Sequence, residues 1–159
     1  MTNMDRSIFN SVKDSDMMIL GELRKNSRQT LSEISKQTKI SISTIYDRIK
    51  FHEEHLIKKH TSLLNFNMLG YSIRANILVS SNQKQKLKDY LVEHPNVNTA
   101  FEVNNSFDFI IDCIFSNMSD CRDFIDSFDK YGVSNIQVHY IVDEIKLESF
   151  METKKMNGE

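Results

Sequence analysis

Residues 30–50 read TLSEISKQTKISISTIYDRIK, and two helix starts lie within that stretch. Thr30 and Glu33 form a capping box: the Thr30 hydroxyl serves the amide three residues on, and the Glu33 carboxylate reaches back to the Thr30 amide. Leu31, Ile34 and Ser35 then face inward. Gln37-Thr38-Lys39-Ile40 breaks the pattern, and Ser41 is placed to cap another helix, whose Ile42, Ile45 and Ile49 recur at helical spacing. Upstream, Asp14-Ser15-Asp16 caps an earlier helix carrying Met17, Ile19, Leu20 and Leu23, and Asn26-Ser27 ends it. Three short helices with a brief break between the second and third are the helix-turn-helix layout, whose last helix enters the DNA major groove.

From residue 70 the apolar period changes to two. Ile73, Ala75, Ile77 and Val79 alternate with polar neighbours, and residues 84–93 form an amphipathic helix around Leu87, Tyr90 and Leu91, stopped by His94-Pro95. Val97, Thr99, Phe101 and Val103 lead to the turn Asn104-Asn105-Ser106, and residues 107–115 form a nearly continuous apolar strand. Residues 119–131 form a helix with Phe124, Ile125 and Phe128 inward, and Ile136, Val138, Tyr140 and Val142 alternate again. The order β-α-β-β-α-β puts two helices on one face of a four-stranded antiparallel sheet and leaves the other face needing cover. Ile110, Ile114 and Ile141 point to that open face, so a homodimer through it is expected.

The 159 residues, 26% charged and 40% hydrophobic with a single proline, suit one ordinary domain or two small ones. The two cysteines, Cys113 and Cys121, are too few for a disulfide framework or a four-ligand zinc site, which points to a reducing interior. No run approaches the roughly 18 apolar residues that cross a bilayer, and MTNMDRSIFNSVKD lacks a signal-peptide core. The expectation is a soluble cytoplasmic protein without membrane contact. The formal charge of −2 hides a split, because residues 1–61 hold 11 basic and 8 acidic side chains whereas residues 62–159 hold 9 and 14. Basic residues concentrate where the helix-turn-helix lies.

Several stretches together resemble the Lrp/AsnC, or feast/famine, regulators. Asp16-Met17-Met18-Ile19-Leu20, Leu23 to Arg28, Leu31 to Ser35 and Ile40 to Lys50 are similar to the family's N-terminal domain. Leu56-Ile57-Lys58-Lys59-His60-Thr61-Ser62-Leu63-Leu64-Asn65 resembles its exit into a linking strand, with Leu69-Gly70-Tyr71 opening the next domain. Val103 to Ile110 and Val138 to Lys146 resemble the signatures of its RAM domain. The resemblance spans residues 14–150 and implies an α+β chain: a helix-turn-helix, winged-helix-like domain at 1–61, a linker strand at 62–70, a ferredoxin-like RAM domain at 71–150 for ligand binding and oligomerisation, and a tail at 151–159. It also implies double-stranded DNA as partner, an amino acid or related small molecule as effector, and dimers that assemble into rings as large as octamers.

Two departures stand out. Asn105 replaces the family's usual turn glycine and tolerates a left-handed backbone, so the turn is expected to survive. Phe51-His52-Glu53-Glu54-His55-Leu56-Ile57 lacks the usual glycine and is a residue short. A helical wheel sets Phe51 opposite Ile45 and Ile49, so the third helix is expected to end or distort near Phe51.

The same wheel is read as leaving Ser43, Thr44, Asp47, Arg48 and Lys50 outward, with Tyr46 at the margin. Arg48 is the expected bidentate reader of a guanine. Ser41 and Ser43 suit phosphate, since a helix N-terminus offers free amides there. Arg28, Lys36, Lys39, Lys50, Lys58 and Lys59 supply attraction to the backbone. In the second half, Asn104, Asn105, Ser106 and Asp108 are the effector-binding candidates: turn amides suit a carboxylate and Asp108 an α-ammonium. The competing role for Asp108 is to bond the turn amides.

Catalytic chemistry, cofactors and metal are not expected. His52, His55 and His60 read as surface histidines, Cys113 as core filler, and Cys121, near a helix start, as slightly activated. Two other readings are carried. One is an enzyme like the siroheme decarboxylases that resemble this family, although His94 and His139 alone make no haem-handling constellation; the other is a small-molecule sensor without DNA binding.

Overall fold

The computed structural model describes residues 11–151. The chain divides into two compact units, one made of residues 11–62 with 145–151, the other of Leu63–Glu144.

The first unit holds helices α1 (Asp14–Lys25), α2 (Leu31–Thr38) and α3 (Ile42–His55). Its core is small: Ile19, Ile34 and Ile45, one from each helix, are fully buried, with Leu23, Leu31, Ile40 and Ile49 packed around them. The capping box forms as read, with the Glu33 amide donating to Thr30 Oγ1 at 3.2 Å and the Thr30 amide donating to Glu33 Oε2 at 2.7 Å. α2 runs to Thr38, two residues past the point where its sequence pattern breaks, and the Thr38 hydroxyl donates back to the Ile34 carbonyl at 2.8 Å. It ends at Lys39, whose left-handed φ of 62° turns the chain toward α3 without a glycine.

Three expectations for this unit are corrected. Asp14-Ser15 lies inside α1, and Asp16 sits at its third position, where Oδ2 accepts from the Lys13 amide at 2.7 Å. Ile42 is 48% exposed rather than packed inward, since the first residue of a helix points its side chain past the end. α3 does not break at Phe51 but continues to His55. Phe51 needs no core there: the Arg48 guanidinium lies over its ring at 4.8 Å, and the His55 ring stacks on it with centroids 4.5 Å apart.

The segment 145–151 belongs with the helices, far from them in sequence. Arg24 on α1 donates to the Phe150 carbonyl at 2.7 Å and to the Glu148 carbonyl and carboxylate at 2.8 Å each.

The second unit follows the β-α-β-β-α-β order: β1 (Ile73–Ser81), α4 (Lys84–Glu93), β2 (Val97–Glu102), β3 (Phe109–Phe115), α5 (Met118–Asp126) continuing as a tight turn of helix over Ser127–Tyr131, and β4 (Val133–Tyr140). The strands lie in the antiparallel order β2-β3-β1-β4. Ala75, Ile77, Val79, Ile111, Cys113 and Phe115 line the inner face and meet Leu87, Leu91, Phe124 and Phe128 from the helices.

The outer face is half apolar and half polar. Leu78 and Phe101 both pair with Ile110 across the strands, and Phe101 is 60% exposed. At the other end Arg74 holds Asp112 through two bonds of 2.8 and 2.9 Å, and Asn98 donates to Asp112 at 2.7 Å. Ile114 shares this face yet is only 7% exposed. Phe101 lies outward because the β2–β3 register shifts between Val97 and Thr99.

Candidate nucleic-acid interface

The α2–turn–α3 unit presents the N-terminal half of α3. Ser41 is its cap: the hydroxyl accepts from the Thr44 amide at 3.3 Å and lies 3.1 Å from Ser43 Oγ and 2.8 Å from Thr44 Oγ1. Three exposed hydroxyls therefore cluster where helix amides are free, an arrangement suited to a phosphate oxygen. Ser41→Ala removes the cap and should cost the helical unit about 1 kcal/mol, read as a shifted denaturation midpoint without DNA.

Around the helix, Ser43, Thr44, Tyr46, Asp47 and Lys50 are exposed, Tyr46 to 58%. Arg28, Lys36, Lys39, Lys58 and Lys59 are exposed as well. The structure thus leaves these expected contact residues free to meet a ligand.

Arg48 is the exception. At about 100° per residue it lies only about 60° around the helix from buried Ile45, so it turns inward rather than outward. Its Nε donates to Asp16 Oδ1 at 2.5 Å, and its Nη2 donates to Asp16 Oδ2 at 2.6 Å and to the Ser11 carbonyl at 3.3 Å. The guanidinium expected to grip a guanine is already committed, in a bidentate pair, to a carboxylate with 0% exposure.

His52 lies one turn further along the same face. It too has 0% exposure, against the surface position expected of it, and its Nε2 sits 3.2 Å from Asp16 Oδ1. Asp16 on α1 thereby fastens α3 at two points. Burial pushes the Asp16 carboxyl up, but the Arg48 hydrogen bond, the Lys13 amide and the neighbouring positive charge outweigh it, and the net direction is down. The pair Asp16 and His52 went unread in sequence, although the spacing Ile45, Arg48, Ile49, His52 is itself an inward helical stripe.

In the second unit the turn Asn104-Asn105-Ser106 is exposed, with Asn105 at φ 88°, the left-handed conformation expected there. Asp108 does not bond its own turn amides. Its Oδ2 accepts from the Ser81 amide at 2.9 Å and its Oδ1 pairs with Lys84 Nζ at 2.6 Å. Lys84 and then the Ser81 amide hold the carboxyl below its ordinary range.

Both cysteines are free and buried. Burial pushes the Cys113 thiol up to about 12 and raises Cys121 as well, which corrects the expected activation of Cys121. Among the described residues, no three His, Cys, Asp or Glu side chains are grouped to hold a metal, and no helix is long and apolar enough to cross a membrane.

Comparison with known proteins agrees with this geometry. Residues 13–51 match the winged helix-turn-helix DNA-binding family, and residues 74–150 match the Lrp/AsnC ligand binding domain. The HTH-type transcriptional regulator FL11 of Pyrococcus furiosus is 34% identical over 71% of this chain and 77% of its own. The leucine-responsive regulatory protein of Rhizobium meliloti is 30% identical over 69% of this chain and 74% of its own. Among solved structures, a transcriptional regulator of Neisseria meningitidis in complex with L-Met shares the fold with a TM-score of 0.79 at 23% identity, covering 86% of this chain and 94% of that one. B. subtilis LrpC does so with a TM-score of 0.78 at 21% identity, over 86% and 98%. With a helix-turn-helix that exposes a polar recognition helix, and a ligand-binding domain built on a β-α-β-β-α-β sheet, the chain belongs to the Lrp/AsnC family of DNA-binding transcriptional regulators.

Proposed function

We propose that this regulator reads a roughly palindromic DNA site as a homodimer and answers to an amino acid or a close relative of one, acting as a regulator rather than as an enzyme. The observation that carries the reading is the exposed polar face of α3, capped by the Ser41, Ser43 and Thr44 hydroxyls and flanked by basic residues. In this reading Thr44, Tyr46, Asp47 and Lys50 meet base edges, and Ser41 and Ser43 meet phosphate. Arg48 positions the helix and does not read bases. Two copies of the helix favour half-sites separated by whole turns of DNA.

Arg28, Lys36, Lys39, Lys58 and Lys59 serve the backbone. Lys58→Ala should weaken binding to every sequence alike and lower the salt slope by about 1, measured by titrating duplexes of different sequence at several salt concentrations. Selection of bound fragments from genomic DNA tests the reading as a whole: enrichment of one two-fold motif supports it, and recovery of unrelated sequences at moderate salt counts against it.

The effector reading rests on the exposed turn Asn104-Asn105-Ser106, with the L-Met held by the Neisseria regulator as the chemical precedent. Asp108 enters it as a brace, because Ser81 and Lys84 already occupy its carboxylate. Calorimetry across the common amino acids tests this part directly. Self-association is read from the apolar half of the open sheet face, and larger rings of dimers follow from the family resemblance.

A further inference from the structure

The Asp16 carboxylate is saturated. Oδ1 accepts from Arg48 Nε and from His52 Nε2, and Oδ2 accepts from Arg48 Nη2 and from the Lys13 amide. Those bonds use the capacity of a carboxylate whose side chain is wholly buried. His52 takes part as the tautomer protonated on Nε2, assigned from its geometry because, among the described residues, only Nε2 faces an acceptor. Its Nδ1 is buried and meets no hydrogen-bond partner among the described residues.

A second proton on the ring would sit on Nδ1. It would place a buried N–H where no described residue accepts it, beside the Arg48 guanidinium, and could gain no further bond from Asp16. Among the described residues, the charged groups acting on the ring are Asp16 from α1 and Arg48 from its own helix. Burial pushes the His52 pKa down, and the opposing pull of Asp16 does not restore it.

We propose that His52 makes the docking of α3 onto α1 a proton-sensitive lock, closed while the ring is neutral and loosened as acid charges it. The consequence for DNA rests on the reading of α3 as the DNA-facing helix. A histidine whose folded pKa lies below its unfolded value of about 6.5 contributes its full stability above that value. The contribution fades as pH falls below about 6.5 toward the folded value. Acidification therefore unfastens the helix that carries the hydroxyl cap and the exposed reading face.

The test uses the full chain, wild type alongside His52→Leu and His52→Gln. Leucine fills the site without titrating, and glutamine keeps a donor toward Asp16 without titrating. Hydrogen-exchange protection of α1–α3 amides, corrected for intrinsic exchange, is followed from pH 7.5 to 5.5 together with the His52 ring signals. Wild-type protection should fall with decreasing pH, by up to about tenfold per unit below 6.5, while both variants show a flatter profile. A His52 ring that titrates at or above its ordinary value in the folded protein, or equal slopes in all three proteins, overturns the lock.

Affinity for a random-sequence duplex at fixed salt is measured on the same samples. Wild type should lose more affinity on acidification than either variant. A protein that shows the protection profile but binds no duplex at any pH leaves the lock standing and sinks the DNA reading. One that binds DNA with pH-independent protection does the reverse.

Discussion

Asp16→Ala is expected to unfold the helical unit in most molecules at 25 °C. The substitution leaves Arg48 half-buried without its anion and His52 fully buried without its acceptor, while a void opens between α1 and α3. Removing one partner of a buried, hydrogen-bonded pair costs about 3–5 kcal/mol. Native stability amounts to roughly 0.05–0.15 kcal/mol per residue, so a small unit whose fully buried apolar core is three isoleucines has little more than that to lose. Hydrogen exchange resolved by residue should show amides of α1–α3 losing protection while the sheet unit keeps its own. Asp16→Asn, which retains an acceptor but loses the charge, should fall between. A change within about 0.5 kcal/mol for Asp16→Ala would mean that the contact is ornamental.

The sign of the acid response separates Asp16 from His52. Because the folded Asp16 pKa lies below its ordinary value of 3.8, its contribution is present above that value and is lost as pH falls through the still lower folded one. Its window lies well below the His52 window, which opens near pH 6.5. Two acid transitions in the wild-type helical unit, of which His52→Leu removes the upper, are what this arrangement implies.

Local periodicity makes most of the fold legible in the sequence. The capping box at Thr30 and Glu33, the Ser41 cap and the α4 bounds Lys84–Glu93 depend on residues within a turn of each other, and the structure has them as read. The strand alternation at Ile73–Val79 survives because one face of β1 is buried from Ala75 onward. What escaped were contacts made at long range. By type Arg48 is a cation on a recognition helix, but its partner lies 32 positions upstream. Phe51 looked stranded because the wheel counts only the core and ignores cover from the neighbouring Arg48 and His55. The pairing of Asp108 with Lys84 and the return of residues 145–151 to Arg24 likewise depend on chain crossings that no short window contains. The candidate site was therefore legible in its exposed residues, which obey the helical period. It was illegible in the residue that looked most like a reader, because a buried anion claims it.

Ile110→Asp is expected to turn the proposed dimer into a monomer at micromolar concentration and to lower affinity for the selected DNA site by about a hundredfold or more. Ile110 points away from the core residues Phe109 and Ile111 that flank it, so the charge enters no packed interior and the sheet should keep its stability. On the outer face it lies between Leu78 and Phe101, at the centre of the apolar half, where a second copy would bring the same patch against it. Two copies then bring two like charges into a desolvated contact with no cation among their immediate strand partners, and association fails. The nearest basic side chain on the neighbouring stretch of β1, Arg74, is already held by Asp112 and Glu144. Joining two binding heads raises apparent affinity by about 10²–10⁴, so loss of the proposed dimer removes a factor of that order. Sedimentation reads the first effect and a salt-controlled DNA titration the second. A wild-type chain that sediments as a monomer removes the premise, and an Ile110→Asp protein that remains dimeric moves the interface elsewhere. A monomeric variant with unchanged DNA affinity would mean that one recognition helix suffices for the site.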